Sequence, residues 1–238
     1  MKVNKHHSAI LGEIKSRSGI GTKHTLLDSY LGTSHPRYAI NAPSLRSIAK
    51  TWAAENKALT SNEFCTVIDS LIRGPSSTEK VMAGIILDYA TKDQIQFDPK
   101  IFDSWLDELE GWAEVDAVCT GKFTIKAIPP NWKNWKKLLK RFAGSKNIHK
   151  RRASLVLLCS PIRYCTDESM AATAFENIER LAHEKDILIT RAISWLLRSM
   201  IKLHKQKVSE YIRDNAERLP AIAVRETLVK LKTGKKTK

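Results

Sequence analysis

The segment Gly111–Cys119, GWAEVDAVC, sets an aspartate in a mostly apolar run. On a helix, Trp112 and Asp116 are four residues apart and lie one above the other on the same face. Val115 and Cys119 share that stripe, and Glu114 is expected to point away from it. A carboxylate in such surroundings must be paired, lie at a cleft, or titrate high. A structural ion pair with an arginine elsewhere in the chain is the plain alternative to a functional role.

Two other stretches carry groups that could meet a polyanion. Residues 131–152 read NWKNWKKLLKRFAGSKNIHKRR, with nine Lys/Arg, two Trp and no acid. Solvated helix faces usually mix signs, so so one-sided a stretch, including Lys146, Lys150 and Arg151, reads as a phosphate-binding surface that gives affinity and position without sequence readout. Arg152, at the head of the apolar run ASLVLLC, could grip a phosphate bidentately, or could be the partner that Asp116 needs. In DILITRAISWLLRSMIK, Ile189, Ile193, Leu196, Leu197 and Met200 form a core stripe. Arg191, Trp195, Arg198 and Lys202 form another at i, i+4, i+7 and i+11. A tryptophan in a row of cations either stacks on a neighbouring guanidinium or offers its ring to sugar or base.

These residues need helices to place them, and the apolar spacing supplies helices almost throughout. An amphipathic stretch His24–Leu31 precedes a Gly/Ser/His/Pro turn. Pro43 then suits a first helical turn, followed by Leu45, Ile48, Ala49 and Trp52 at helical spacing. Ser61–Ile72 and Thr78–Ala90 follow, the latter with Val81, Ile85, Ile86 and Tyr89 facing inward. Pro99–Glu110 presents Phe102, Trp105 and Leu109 as its stripe. Beyond Pro129–Pro130, helices are expected at about 131–143, 147–160, 168–183, 186–202, 204–216 and 218–232. FTIKAI at 123–128 is the one brief strand candidate. The fold class is all-α. Short antiparallel pairs recurring at about 40 residues suggest a HEAT-like helical-repeat solenoid. Residues 1–22 are expected to be a basic, weakly ordered segment, 23–232 a single solenoid domain, and 233–238 a basic tail.

Forty Lys+Arg against 25 Asp+Glu give a net charge of +15 in 238 residues. That excess implies nucleic acid first and an anionic membrane second. No apolar run has transmembrane length and the N-terminus lacks a signal-peptide core, so a cytoplasmic protein is expected. Cys65, Cys119, Cys159 and Cys165 lack C-x-x-C spacing and no H-E-x-x-H occurs, which points to buried free thiols and to no metal site or cofactor.

Taken together, the three stretches resemble the DNA alkylation repair family of HEAT-like DNA glycosylases, the AlkD type, from about Tyr38 to Leu231. The family's W-x-x-x-D pair falls on Trp112 and Asp116, its N-I-x-x-x-R-A segment places the phosphate-gripping arginine on Arg152, and its A-I-x-W-x-L-R helix places a second tryptophan on Trp195. The segment G-I-x-x-P-x-x-R is similar to AINAPSLR and aligns Arg46, with Ala39 where the family has glycine. The resemblance implies a curved solenoid whose concave basic face takes duplex DNA. It also implies hydrolysis of the N-glycosidic bond of N3- and N7-alkylpurines without base flipping, by a monomer. Asp116, Trp112, Trp195 and Arg152 would be catalytic, and Arg46, Lys146, Lys150, Arg151, Arg191 and Arg198 would bind DNA. A non-catalytic nucleic-acid-binding module and a protein–protein scaffold are the rival readings. An aspartate in the cleft argues against the former, since it repels phosphate, and one-sided charge argues against the latter.

Overall fold

The computed structural model describes residues 4–19 and 32–235, mostly helical with turns and short irregular connections, and with no strand among the described residues. The stretch His24–Leu31 lies outside them. The helices are α1 (Lys5–Ser16), α2 (Ala42–Glu55), α3 (Ser61–Ile72), α4 (Ser77–Tyr89), α5 (Ile101–Trp105), α6 (Gly111–Cys119), α7 (Lys122–Ala127), α8 (Trp132–Ala143), α9 (Ile148–Cys159), α10 (Glu168–Leu181), α11 (Ile187–Asn215) and α12 (Ala221–Thr233). They form two compact units, Met1–Phe123 and Thr124–Lys238.

Local chemistry explains most helix starts. Asn41, Thr60, Ser76, Asn147, Asp167 and Asp186 each cap a helix by accepting from a first-turn N–H, and Thr60 and Ser76 close reciprocal boxes with Glu63 and Glu79. The pairing expected from the sequence is present within each unit. In the first, α2 packs on α4 and α4 on α6, while α1 and α3 form a second layer against them. In the second, α8 packs beside α10 and α9 beside α11, with α12 closing on α11. Trp132 Nε1 donates to Ser169 Oγ at 2.5 Å and Lys140 pairs with Glu176 at 2.5 Å, so α8 and α10 run parallel, as the first helices of successive repeats.

Four expectations are corrected. Residues 1–22 contain an ordered helix, because His7, Ile10 and Ile14 of α1 are buried against α2 and α3, and this packing overrides the cost of Gly12. His7 Nε2 lies 2.8 Å from Glu79 and Nδ1 2.8 Å from Ser70. Burial alone would push the Glu79 carboxyl up, but the hydrogen bonds from His7 and Ser76 outweigh it and hold it below the ordinary carboxylate range. FTIKAI is the helix α7 and not a strand: Phe123, Thr124, Ala127 and Ile128 are buried at helical spacing, and Asp88 accepts from the Phe123 N–H at 3.0 Å. The Pro99–Glu110 helix is a single short turn, α5, although Phe102, Trp105 and Leu109 are buried as expected. Finally, α4 does not turn Val81, Ile85 and Tyr89 inward. Tyr89 is 40% exposed, while Met82, Ala83, Ile86 and Leu87 are buried because three helices surround them. At positions 186–216 the two expected helices meet at His204, whose backbone (φ −123°, ψ 36°) breaks α11.

Gly84 lets α4 approach α6. A Cβ there would run into the carbonyl of Ala117, the residue after Asp116. Gly→Ala in an exposed helix gains about 1 kcal/mol of propensity. Here overpacking against backbone costs about 1–3 kcal/mol and wins. Gly84→Ala is therefore expected to lower the thermal midpoint, and a rise would show that α4 and α6 are not in register as described.

Candidate functional site

In the first unit the site residues stand on α6. Gly111 opens it at φ +66°, a left-handed conformation that favours glycine. Trp112 and Asp116 are one turn apart on the same face, both half-buried. Val115 and Cys119 are fully buried beside them. Glu114 does point away from Asp116, but inward and not to solvent: it is the buried carboxylate, with no exposed surface. Thr33 Oγ1 donates to it at 2.7 Å, the Glu110 N–H donates at 2.8 Å, and His35 Nδ1 lies 3.0 Å away. Glu110 in turn accepts from the N–H and hydroxyl of Ser34 at 2.8 and 2.7 Å. A carboxylate can be buried when its lone pairs are satisfied in this way. Residues two apart on a helix point about 200° apart, so locking Glu114 inward rotates Asp116 toward the margin. Behind this network Lys80 is buried, its ammonium donating to the carbonyls of Ile72 and Gly74 at 2.7 and 3.0 Å. Burial holds it below the ordinary lysine range, against the pull of Glu114, Glu108, Glu79 and Glu110. Arg46 is exposed on α2.

In the second unit the candidates lie on α9 and α11, which pack together. Arg152 is only 5% exposed, and its guanidinium donates to the carbonyl of Leu188, seven residues before Trp195 on α11. The anchor fixes Arg152 against the helix that carries the second tryptophan. Trp195 is half-buried and Arg191 exposed, as expected for a stripe distinct from the buried Ile189, Ile193, Leu196, Leu197 and Met200.

The cations grouped together by sequence have different situations. Arg151 makes a bidentate pair with Glu184 at 2.7 and 3.1 Å and donates to the carbonyls of Ser145 and Lys146 at 3.0 and 2.8 Å. This geometry clamps the turn before α9 and leaves little of the fork for a phosphate. Arg198 is likewise drawn to Glu226 at 3.2 Å and to Ser194. Lys146 is exposed and Lys150 half-buried. On α8, Lys140 is drawn to Glu176 of α10 at 2.5 Å, while Lys133 and Lys137 are exposed. The spacing gave no sign that Glu114 would be buried, and none of Tyr164, which stands 59% exposed after the turn Pro161–Arg163 with the Lys202 ammonium 4.0 Å from its ring centroid.

Three of the four cysteines, Cys65, Cys119 and Cys159, are buried free thiols, and Cys165 is partly exposed. Burial raises the Cys65 thiol to about 11, which suits packing rather than nucleophilic chemistry. Among the described residues no group of three or more His, Cys, Asp and Glu could hold a metal ion. No described helix is long and apolar enough to cross a membrane.

Paired helices whose second members carry Arg46, the Trp112–Asp116 pair, Arg152 and Trp195 define a helical-repeat protein with a strongly basic balance. The chain belongs to the DNA alkylation repair enzyme family, whose model matches residues 22–231. A solved structure described as a "Predicted DNA alkylation repair enzyme from Enterococcus faecalis" superposes with a TM-score of 0.69 at 20% identity, covering 84% of this chain and 91% of that one. That likeness speaks to the fold, which is all-α and of the helical-repeat kind. No curated protein matches the sequence.

Proposed function

We propose that this member of the family is a DNA glycosylase that removes N3- and N7-alkylpurines from duplex DNA, with 23–232 working as one DNA-binding domain of a monomer inside the cell. The observation that carries the reading is the rotation of α6, with Glu114 taking the buried position and the Trp112–Asp116 pair left at the surface margin of a protein of net charge +15. A module that only binds phosphates gains nothing from that carboxylate.

The chemistry is simple in its demands. An N3- or N7-alkylated purine is already cationic, so it leaves as a neutral base with the electron pair of the broken C1′–N bond and needs no protonation. Ordinary glycoside hydrolysis, by contrast, uses two carboxyl groups. What remains is an oxocarbenium-like deoxyribose, and a preorganised anion beside it lowers the barrier. Asp116 is that anion. It also orients the water whose oxygen bonds to C1′ and whose proton passes to the carboxylate or to solvent. The family resemblance gives Trp112 and Trp195 the role of packing their π-faces against the cationic sugar and excluding water, and gives Arg152 that of holding a neighbouring phosphate so that the sugar does not drift. No base-sized pocket is invoked, so the base stays stacked during cleavage.

The test is release of base from a duplex carrying one N7-methylguanine, with the abasic product read as strand breaks after alkali. Excision supports the reading. Duplex binding without release of N7-methylguanine or N3-methyladenine would leave a non-catalytic DNA-binding module. A strong rise in fluorescence from 2-aminopurine beside the lesion would remove the claim that the base stays stacked.

A further inference from the structure

The last two helices of the second unit gather cations that the glycosylase chemistry does not use. Lys202 continues the stripe of Arg191, Trp195 and Arg198 along α11, and its ammonium sits over the exposed ring of Tyr164. The turn Pro161–Arg163, which delivers Tyr164, packs on α11. Lys230 of α12, which also packs on α11, feels both Arg163 and Arg198. The acid at this place is Glu226, and it is engaged by Arg198 at 3.2 Å and by the Ser194 hydroxyl at 2.5 Å. Arg163, Lys202 and Lys230 have no carboxylate partner among the described residues.

Like charges converging from three elements destabilise a fold unless an anion joins them. Lys230 records that cost: partial burial, with Arg163 and Arg198 nearby, holds its ammonium below the ordinary lysine range. The shape of the cluster favours a polymer over a single small anion. From Arg191 to Lys202 the stripe spans about 16 Å of helix, the rise of several nucleotides at roughly 3.4 Å each. Tyr164 adds a flat ring that is 59% exposed and has the Lys202 ammonium 4.0 Å from its centroid.

We propose that Arg163, Tyr164, Lys202 and Lys230 form a second duplex-DNA contact, in which the three cations hold successive phosphates beyond the Arg191–Trp195 stripe and the Tyr164 ring lies against a sugar. The proposal rests on the DNA reading above and adds to it a region that grips the backbone away from the bond being cleaved.

The experiment measures binding of the full chain to a short undamaged duplex over a series of salt concentrations. In the variant R163Q/K202Q/K230Q the slope of log affinity against log salt is expected to fall by about 3, close to one for each phosphate released, and affinity at low salt by more than tenfold. Tyr164→Ala is expected to weaken binding about fivefold to tenfold with the slope unchanged. Lys230→Gln alone is expected to raise the thermal midpoint, the reverse of what loss of a structural contact would do. A folded triple variant that keeps wild-type affinity and slope overturns the proposal. A wild-type protein that fails to bind duplex at low salt overturns it together with the DNA reading. Salt-sensitive binding lost in the triple variant, in a protein that excises nothing, would leave this contact standing and overturn only the glycosylase chemistry.

Discussion

Asp116→Asn is expected to slow release of N7-methylguanine by about 10²–10³-fold, the usual cost of removing one preorganised electrostatic group from a reacting centre. Asparagine keeps the size of the side chain, so packing on α6 beside Val115 and Cys119 is preserved. Duplex affinity is expected to stay level or rise, since the variant removes a negative charge from the surface proposed to meet phosphates. The split between lost turnover and kept binding is the diagnostic feature. It separates a catalytic anion from a carboxylate whose loss merely unfolds α6, which would lower both together. The pH profile supplies a second check. One carboxylate acting as an anion, with no general acid, gives a rate that falls only on the acid side; an acid–base pair gives a bell. A bell-shaped profile, or an Asp116→Asn variant with wild-type turnover, would end the proposed mechanism.

The repeating helix pairs were legible because each helix writes its own apolar stripe and most write their own caps. Ser61–Ile72, for example, announces itself through Phe64, Val67, Ile68 and Leu71 and through the Thr60–Glu63 box. Legibility failed where the deciding partner is distant in sequence. Nothing in KHHSAILGEIKS shows that His7 will meet Glu79 or that α2 and α3 will cover Ile10 and Ile14. Met82, Ala83 and Leu87 are buried because α4 is enclosed on several sides, a circumstance that no single-helix periodicity encodes. The Trp112–Asp116 spacing could be read from the sequence, but the rotation of its helix could not. That rotation is set by Thr33 and His35, about 80 positions earlier than Glu114. Arg151 and Arg152 are alike in sequence. Glu184 claims one, and the Leu188 carbonyl anchors the other beside α11.

Glu114→Ala is the substitution expected to cost most in stability. The Glu114 carboxylate has no exposed surface, and its removal leaves the Thr33 hydroxyl, the Glu110 N–H and the His35 ring without their acceptor. It also takes away an anion whose field favours the buried Lys80 ammonium. Breaking one member of such a buried charged network costs about 3–5 kcal/mol, against a total stability of about 5–15 kcal/mol for a typical domain. The thermal midpoint should therefore fall by about 10 °C. Glu114→Gln keeps the shape and one oxygen acceptor while losing the charge opposite Lys80, so it should fall between wild type and Glu114→Ala. The functional consequence follows from geometry. With Glu114 gone, the Ser34–Glu110 bonds still hold the start of α6, but the buried anchor one turn further in is lost and the rotation of Trp112 and Asp116 is held less firmly. Excision measured well below the melting temperature should then drop further than duplex binding does, because the phosphate contacts proposed for α9 and α11 stand on helices other than α6. Equal loss of both would instead mean that the variant is simply unfolded, and a midpoint unchanged from wild type would mean that Glu114 does not hold α6 at all.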